Sequence, residues 1–193
     1  MSDDPRLGGI VRLYGAQQPN NLANSHVAVV GIGGVGSLTA EALARSGVGT
    51  ITLIVLDDIC VTNTNRQIHA LSNTIGEAKV DAIAARIKLI NPACKVHCIE
   101  DFVTPENTAA LLTKEMHAVV DATDSIRAKA EMIAHCKRNK IPIVTVGGAD
   151  GQIDPTQITK GDLAQTRHDP LAAKLRSELR RNYNFSKNAK SRL

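Results

Sequence analysis

Apolar positions along the 193-residue chain follow two alternating rhythms. Short unbroken runs such as Val27-Ala-Val-Val30, Ile51-Thr-Leu-Ile-Val-Leu56 and Ala118-Val-Val120 read as strands covered on both faces. Between them lie stretches whose apolar residues recur every three or four positions, as on one face of a helix. This pattern predicts strands over 26–31, 50–56, 95–99, 117–121 and 142–146. It predicts helices over 37–46, 76–90, 105–114 and 125–139, after a helical lead-in over 6–24. Pro92, Pro105 and Pro142 fall at element starts, where proline is tolerated. Alternation of this kind predicts an α/β fold: a doubly wound, mostly parallel, Rossmann-like sheet with helices on both faces. Ligands in such sheets bind at the carboxyl ends of the strands. Beyond 150 the pattern weakens. A charged amphipathic helix is expected from Asp169 to Asn182, with Asp169 as N-cap and Pro170 in its first position, and the last ten residues read as unstructured.

Composition narrows this picture. Hydrophobic residues make up 43% and charged residues 22%, as in an ordinary globular chain, but aromatics are only 2% with no Trp, so the core must be aliphatic. No apolar run approaches the roughly 20 residues of a membrane span, and the start Met-Ser-Asp-Asp lacks the basic and apolar regions of a signal peptide. The expectation is a cytoplasmic protein without a membrane segment. Cys60, Cys94, Cys98 and Cys136 form no C-x-x-C pair and read as small buried side chains, which argues against a structural zinc site. His69, His97, His117 and His135 have no partner spacing and read as structural. Net charge is +4, unevenly spread. From Lys160 onward nine Lys and Arg stand against Asp162, Asp169 and Glu178, so this end either meets a polyanion such as RNA or forms a solvated face.

The chemistry gathers at strand ends. Gly31-Ile-Gly-Gly-Val-Gly36 follows the first strand and opens a helix. Glycines at these spacings allow a tight turn, let backbone N–H groups approach a phosphate and place it at the helix's positive end. Alone this suggests a dinucleotide. Asp57 and Asp58, at the end of the second strand, stand where a ribose-binding acid is expected. Arg66, inside Asn63-Thr-Asn-Arg-Gln67, is either a surface residue or a guanidinium that neutralises phosphate. Lys79 in a helix's first turn opposes the helix dipole and suggests a nearby anion. Asp121 and Asp124 stand where carboxylates could hold Mg²⁺ on a triphosphate, though Asp124 could equally cap the following helix. The set favours a nucleoside triphosphate over a nicotinamide.

Gly31–Gly36, Thr62–Gln67, Lys79, Ile90-Asn-Pro92 and Asp121-Ala-Thr-Asp124 resemble the ubiquitin-activating-like adenylyltransferases over about residues 5–160. Four further stretches, 8–15, 65–71, 151–157 and 169–175, are similar to the tRNA threonylcarbamoyladenosine dehydratase family within that group. The resemblance implies ATP-dependent activation of the carboxylate of threonylcarbamoyl-adenosine in tRNA, followed by cyclisation with loss of water. It implies ATP and Mg²⁺, a tRNA substrate, a homodimer and a cysteine desulfurase or sulfur-acceptor partner. Arg66, Lys79 and Asp124 would be catalytic, Asp124 also holding Mg²⁺. Gly31, Gly33, Gly34, Gly36, Asp57, Asn63, Phe102 and Asp121 would bind nucleotide. Residues 1–160 would form the ATP-binding domain, and 161–193 a basic, partly helical remainder of the same domain in a C-terminally shortened member. Two alternatives stand: adenylation of the C-terminal glycine of a ubiquitin-like sulfur carrier, or an inactive homologue acting as a binding module. The chain also departs from the resemblance. Val55 replaces a ribose-binding aspartate, Gly9 stands where relatives send an arginine across the dimer, with Arg6 or Arg12 to compensate, and no cysteine matches the family's late cysteine.

Overall fold

Five strands form one all-parallel sheet in the order β3-β2-β1-β4-β5: β1 His26–Val30, β2 Thr50–Ile54, β3 Lys95–Ile99, β4 Ala118–Asp121 and β5 Ile143–Thr145. The computed structural model describes residues 4–149 and 151–187; part of the expected unstructured end, 188–193, lies outside them. The helices are α1 Gly8–Tyr14, α2 Gln18–Ala23, α3 Gly34–Arg45, α4 Lys79–Ile90, α5 Thr108–Leu111, α6 Ile126–Asn139 and α7 Pro170–Asn182.

Side chains alternate across the sheet because successive strand residues face opposite ways. Val27, Val29, Ile51 and Leu53 join Ala40 and Ala44 of α3 and Val80, Ile83 and Ile87 of α4 on one face. Ala28, Val30, Ile54 and Val119 join Met132 and Cys136 of α6 and Leu112 on the other. A third, smaller cluster docks Leu175 and Leu179 of α7 onto Ala130 and Ile133 of α6. The basic segment is therefore partly built into the domain.

The differences from expectation have local causes. The lead-in splits into two helices at Gly15, whose φ of 90° is left-handed. The helix expected over 105–114 shrinks to one turn because Asn107 folds the residues before it into a staple: its Oδ1 accepts from Thr104 N at 2.8 Å and its Nδ2 donates to Phe102 O at 2.8 Å. α3 begins three residues early, inside the glycine cluster. Cys94 and Cys136 are buried as expected, but Cys60 and Cys98 are exposed, one in a loop and the other on the edge strand β3. Among the described residues, no helix is long and apolar enough to cross a membrane.

Candidate functional site

The sheet order reverses between β1 and β4, which opens a crevice at their carboxyl ends. The glycine loop fills its floor. Gly31 has φ +85°, and a Cβ there would stand 2.8 Å from Ala122 O and 2.9 Å from Thr123 N. A Cβ on Gly36 would stand 1.8 Å from Gly31 O. The two strand-end loops therefore interlock in a way only glycine permits. Around Gly33, the residue preceding α3, nothing lies within 4 Å of a Cβ position, so an anion has room at the helix's positive end.

Arg66 lies across this opening. Its Cγ and Cδ are 3.5 and 3.7 Å from the Cβ position of Gly34. Nη1 donates to Asn65 Oδ1 at 2.9 Å and Thr62 O at 3.3 Å, and the side chain is exposed. Asn63 has a different place from the expected phosphate lining. It is 8% exposed, accepts from Cys60 N at 3.1 Å, and its carbonyl accepts from Arg66 N and Gln67 N. Asn63 is the staple that shapes the arginine loop.

At the tip of β2, Lys79 begins α4 and donates from Nζ to Asp57 Oδ2, while its N–H donates to Asp57 O at 3.1 Å. The lysine side chain is 6% exposed and the aspartate 56%. The anion expected beside Lys79 is thus Asp57, in the protein itself. Asp58 instead bridges the backbone of Ala78. Val55 is half-buried against the core. Nearby, His69 is 2% exposed, and neither of its ring nitrogens nor Gln67 Oε1 has a hydrogen-bond partner. Burial, reinforced by the Lys79 charge, pushes the His69 imidazole down to about 4.

Asp121 departs most from expectation. Its side chain is fully buried. Oδ2 accepts from Lys129 Nζ at 3.1 Å and Thr145 Oγ1 at 2.8 Å, and Oδ1 accepts from Thr123 N at 3.1 Å and Thr123 Oγ1 at 2.8 Å. No edge is left for a nucleotide, so Asp121 supports the loop rather than touching a ligand. Asp124 is exposed, and Ser125 caps α6 in its place, accepting from Ala128 N at 3.3 Å. Among the described residues no three His, Cys, Asp or Glu form a metal site. A single carboxylate with phosphate oxygens is nonetheless how Mg-nucleotides are commonly held.

Phe102 is 60% exposed beyond β3. Arg6 is paired with Asp4 at 2.8 Å, whereas Arg12 is exposed. On α7, Arg176 turns inward to Thr166 Oγ1 and Leu163 O, while Lys174 and Arg181 line an open groove of about 420 Å³ against Ile126. Thr123, Lys129 and Thr145, which hold Asp121 at the edge of the crevice, are residues that the sequence pattern did not single out. Lys129 did leave a trace there: it shares helical spacing with the apolar Met132, Ile133 and Cys136.

The model of the ThiF family matches residues 8–182. The tRNA threonylcarbamoyladenosine dehydratase of Escherichia coli (strain K12) is 57% identical over 188 residues, 97% of this chain and 70% of that protein. A crystal structure of the E. coli enzyme in complex with ATP superimposes with a TM-score of 0.94, covering 97% of this chain and 77% of that one. The molybdopterin-synthase adenylyltransferase of E. coli is 31% identical over 147 residues, 75% of this chain and 58% of that protein.

Proposed function

The chain belongs to the ThiF family, and from that premise we propose that it is an ATP-dependent dehydratase that cyclises threonylcarbamoyl-adenosine in tRNA. The observation that carries this reading is the open start of α3 with Arg66 laid across Gly34, a place built for a polyphosphate. The similarity to an enzyme solved with ATP supports it.

A carboxylate is a poor acyl donor because oxide is a poor leaving group. In the proposed reaction a carboxylate oxygen of the modified nucleoside attacks the α-phosphorus, the bond to pyrophosphate breaks, and an acyl adenylate forms. The nucleoside's own carbamoyl group then attacks the acyl carbon, AMP departs, a proton passes to water, and the net change is loss of one water. Positioning and charge neutralisation supply most of the catalysis. Arg66 neutralises phosphate charge. Lys79 exchanges part of its contact with Asp57 for ribose or phosphate, and Asp57, half exposed, takes a ribose hydroxyl in place of an acid at Val55. The backbone of Gly31, Gly33, Gly34 and Gly36 cradles the phosphates, Asn63 holds the arginine loop and Phe102 faces adenine. Asp124 would hold Mg²⁺, which would neutralise phosphate charge. The working form is a cytoplasmic homodimer, and a cysteine desulfurase system is a partner.

The test is to incubate the chain with modified tRNA and Mg·ATP and follow the nucleoside by mass spectrometry. ATP-dependent loss of water, abolished in Arg66→Ala, is expected. A chain that is stabilised more by NAD than by Mg·ATP in a thermal-shift titration, or that leaves the nucleoside unchanged, overturns the reading.

A further inference from the structure

We propose that Lys129 is a positioning residue for the nucleotide crevice: its ammonium ties the tips of β4 and β5 together beneath the Thr123–Asp124 loop and so fixes where Asp124 stands. The proposal rests on the ATP reading above and assigns a role to a group that never meets the ligand.

Lys129 is the fourth residue of α6, and its side chain is fully buried. Nζ donates to Asp121 Oδ2 at 3.1 Å and to Val146 O at 2.8 Å. Asp121 in turn accepts from Thr145 Oγ1 with the same oxygen and from both the N–H and the hydroxyl of Thr123 with the other. One ammonium and one carboxylate thus hold two strand tips and the loop that leads to Asp124.

Stability alone does not account for such a pair. Desolvating two charges costs several kcal/mol in effective terms, and a well-packed apolar pair of similar volume is commonly as stable or more so. What an apolar pair cannot do is fix Thr123 and Val146 at once. Thr123 is held from the other side as well, because Gly31 approaches Ala122 O and Thr123 N too closely for any side chain. Clamped between the Gly31 backbone and Asp121, the loop has little room to shift. Displacements of about 1 Å in positioning groups are costly to catalysis. The tie also reaches further. Val146 leads into Gly147 and Gly148, and Gly148 N donates at 3.1 Å to Asp169 Oδ2, the carboxylate that caps α7.

The deciding variant replaces the pair with apolar residues, Asp121→Leu with Lys129→Met. It is expected to melt within about 4 °C of the parent and to bind Mg·ATP at least about tenfold more weakly, a loss of roughly 1.4 kcal/mol. Backbone amides of 122–124 should exchange with solvent faster than in the parent. Parent-like ATP affinity in a folded double variant overturns the proposal. If the double variant does not fold, Thr123→Val, which deletes only the hydroxyl bond to Asp121, is read in its place. Severalfold weaker ATP binding at an unchanged melting temperature supports the proposal, and unchanged affinity overturns it. A parent that fails to bind Mg·ATP overturns the ATP reading instead. Amide exchange then decides the positioning claim: protection at 122–124 lost in the variant supports it, and unchanged exchange overturns it.

Discussion

Two lysine–aspartate pairs stand near the carboxyl ends of β2 and β4, and what most separates them is exposure. In each, an aspartate at the end of a strand meets a lysine in the first turn of the following helix, Asp57 with Lys79 and Asp121 with Lys129. Asp57 is 56% exposed and Asp121 is fully buried. Water screens the first pair on its aspartate side, and in the proposed reaction a polyphosphate or ribose would compete for the lysine. No ligand can reach the second, and its charges act only on the protein around them. The same two residue types thus make an exchangeable contact in one place and a fixed joint in the other.

The largest effect should come from breaking the fixed joint. Asp121→Ala leaves Lys129 buried without its carboxylate and is expected to cost about 3–5 kcal/mol of unfolding free energy. Urea denaturation checks it, and a loss below about 1 kcal/mol would mean the two pairs do not differ in kind.

Lys79→Met should reverse the balance. Because Asp57 faces water, folding should lose about 1 kcal/mol or less, whereas Mg·ATP affinity should fall by about 10- to 100-fold, as for a lost hydrogen bond to a charged group. Calorimetric titration beside urea denaturation separates the two quantities.

Acid should sharpen the contrast, since the Lys79 side carries the depressed imidazole. His69 sits near 4 in the folded chain against an ordinary 6.5. The folded state favours its neutral form, so its contribution to stability is complete above 6.5 and is lost as pH falls from there toward 4. Between pH 7.5 and pH 5 the parent should lose about 2 kcal/mol more than His69→Phe. Equal losses in the two proteins would remove His69 as the source.

The smallest effect concerns the basic helix. Lys174→Ala with Arg181→Ala should lower the slope of log affinity for tRNA against log salt by about 1.5, a little under one for each phosphate no longer neutralised, and leave ATP binding unchanged. Filter binding at several salt concentrations measures it. Arg176 is kept out of this variant because it fastens α7 to Leu163 and Thr166.

Much of this molecule was legible because its signals are local. Every expected strand is present, since an apolar run such as Val27–Val30 announces itself within a few residues. The glycine loop, Arg66 and Lys79 lie in short motifs and fall at the carboxyl edge, where the fold class put them. The role of Asp121 was hidden because its partners Lys129 and Thr145 lie 8 and 24 residues away and meet it only when β4, β5 and α6 assemble. Asn63 and Phe102 show the same limit. Nothing near Asn63 in the chain shows that it turns inward to hold its own loop, and the exposure of Phe102 depends on an asparagine staple five residues on.

The interlock of Gly31 with Ala122 also dictates an order of assembly. β1 pairs with β2 on one edge, 24 residues away in the chain, and with β4 on the other, 91 residues away. The contacts between β1, β2 and β3 are comparatively local and can form first, whereas the second wall of the crevice waits for a closure across half the chain. During synthesis the glycine loop and β2 therefore both emerge before Thr123 and Asp124 exist to face them. Both walls of the crevice exist only once β4 has joined β1, and a ribosome-stalled fragment ending before Ala122 should carry the glycine motif without the site.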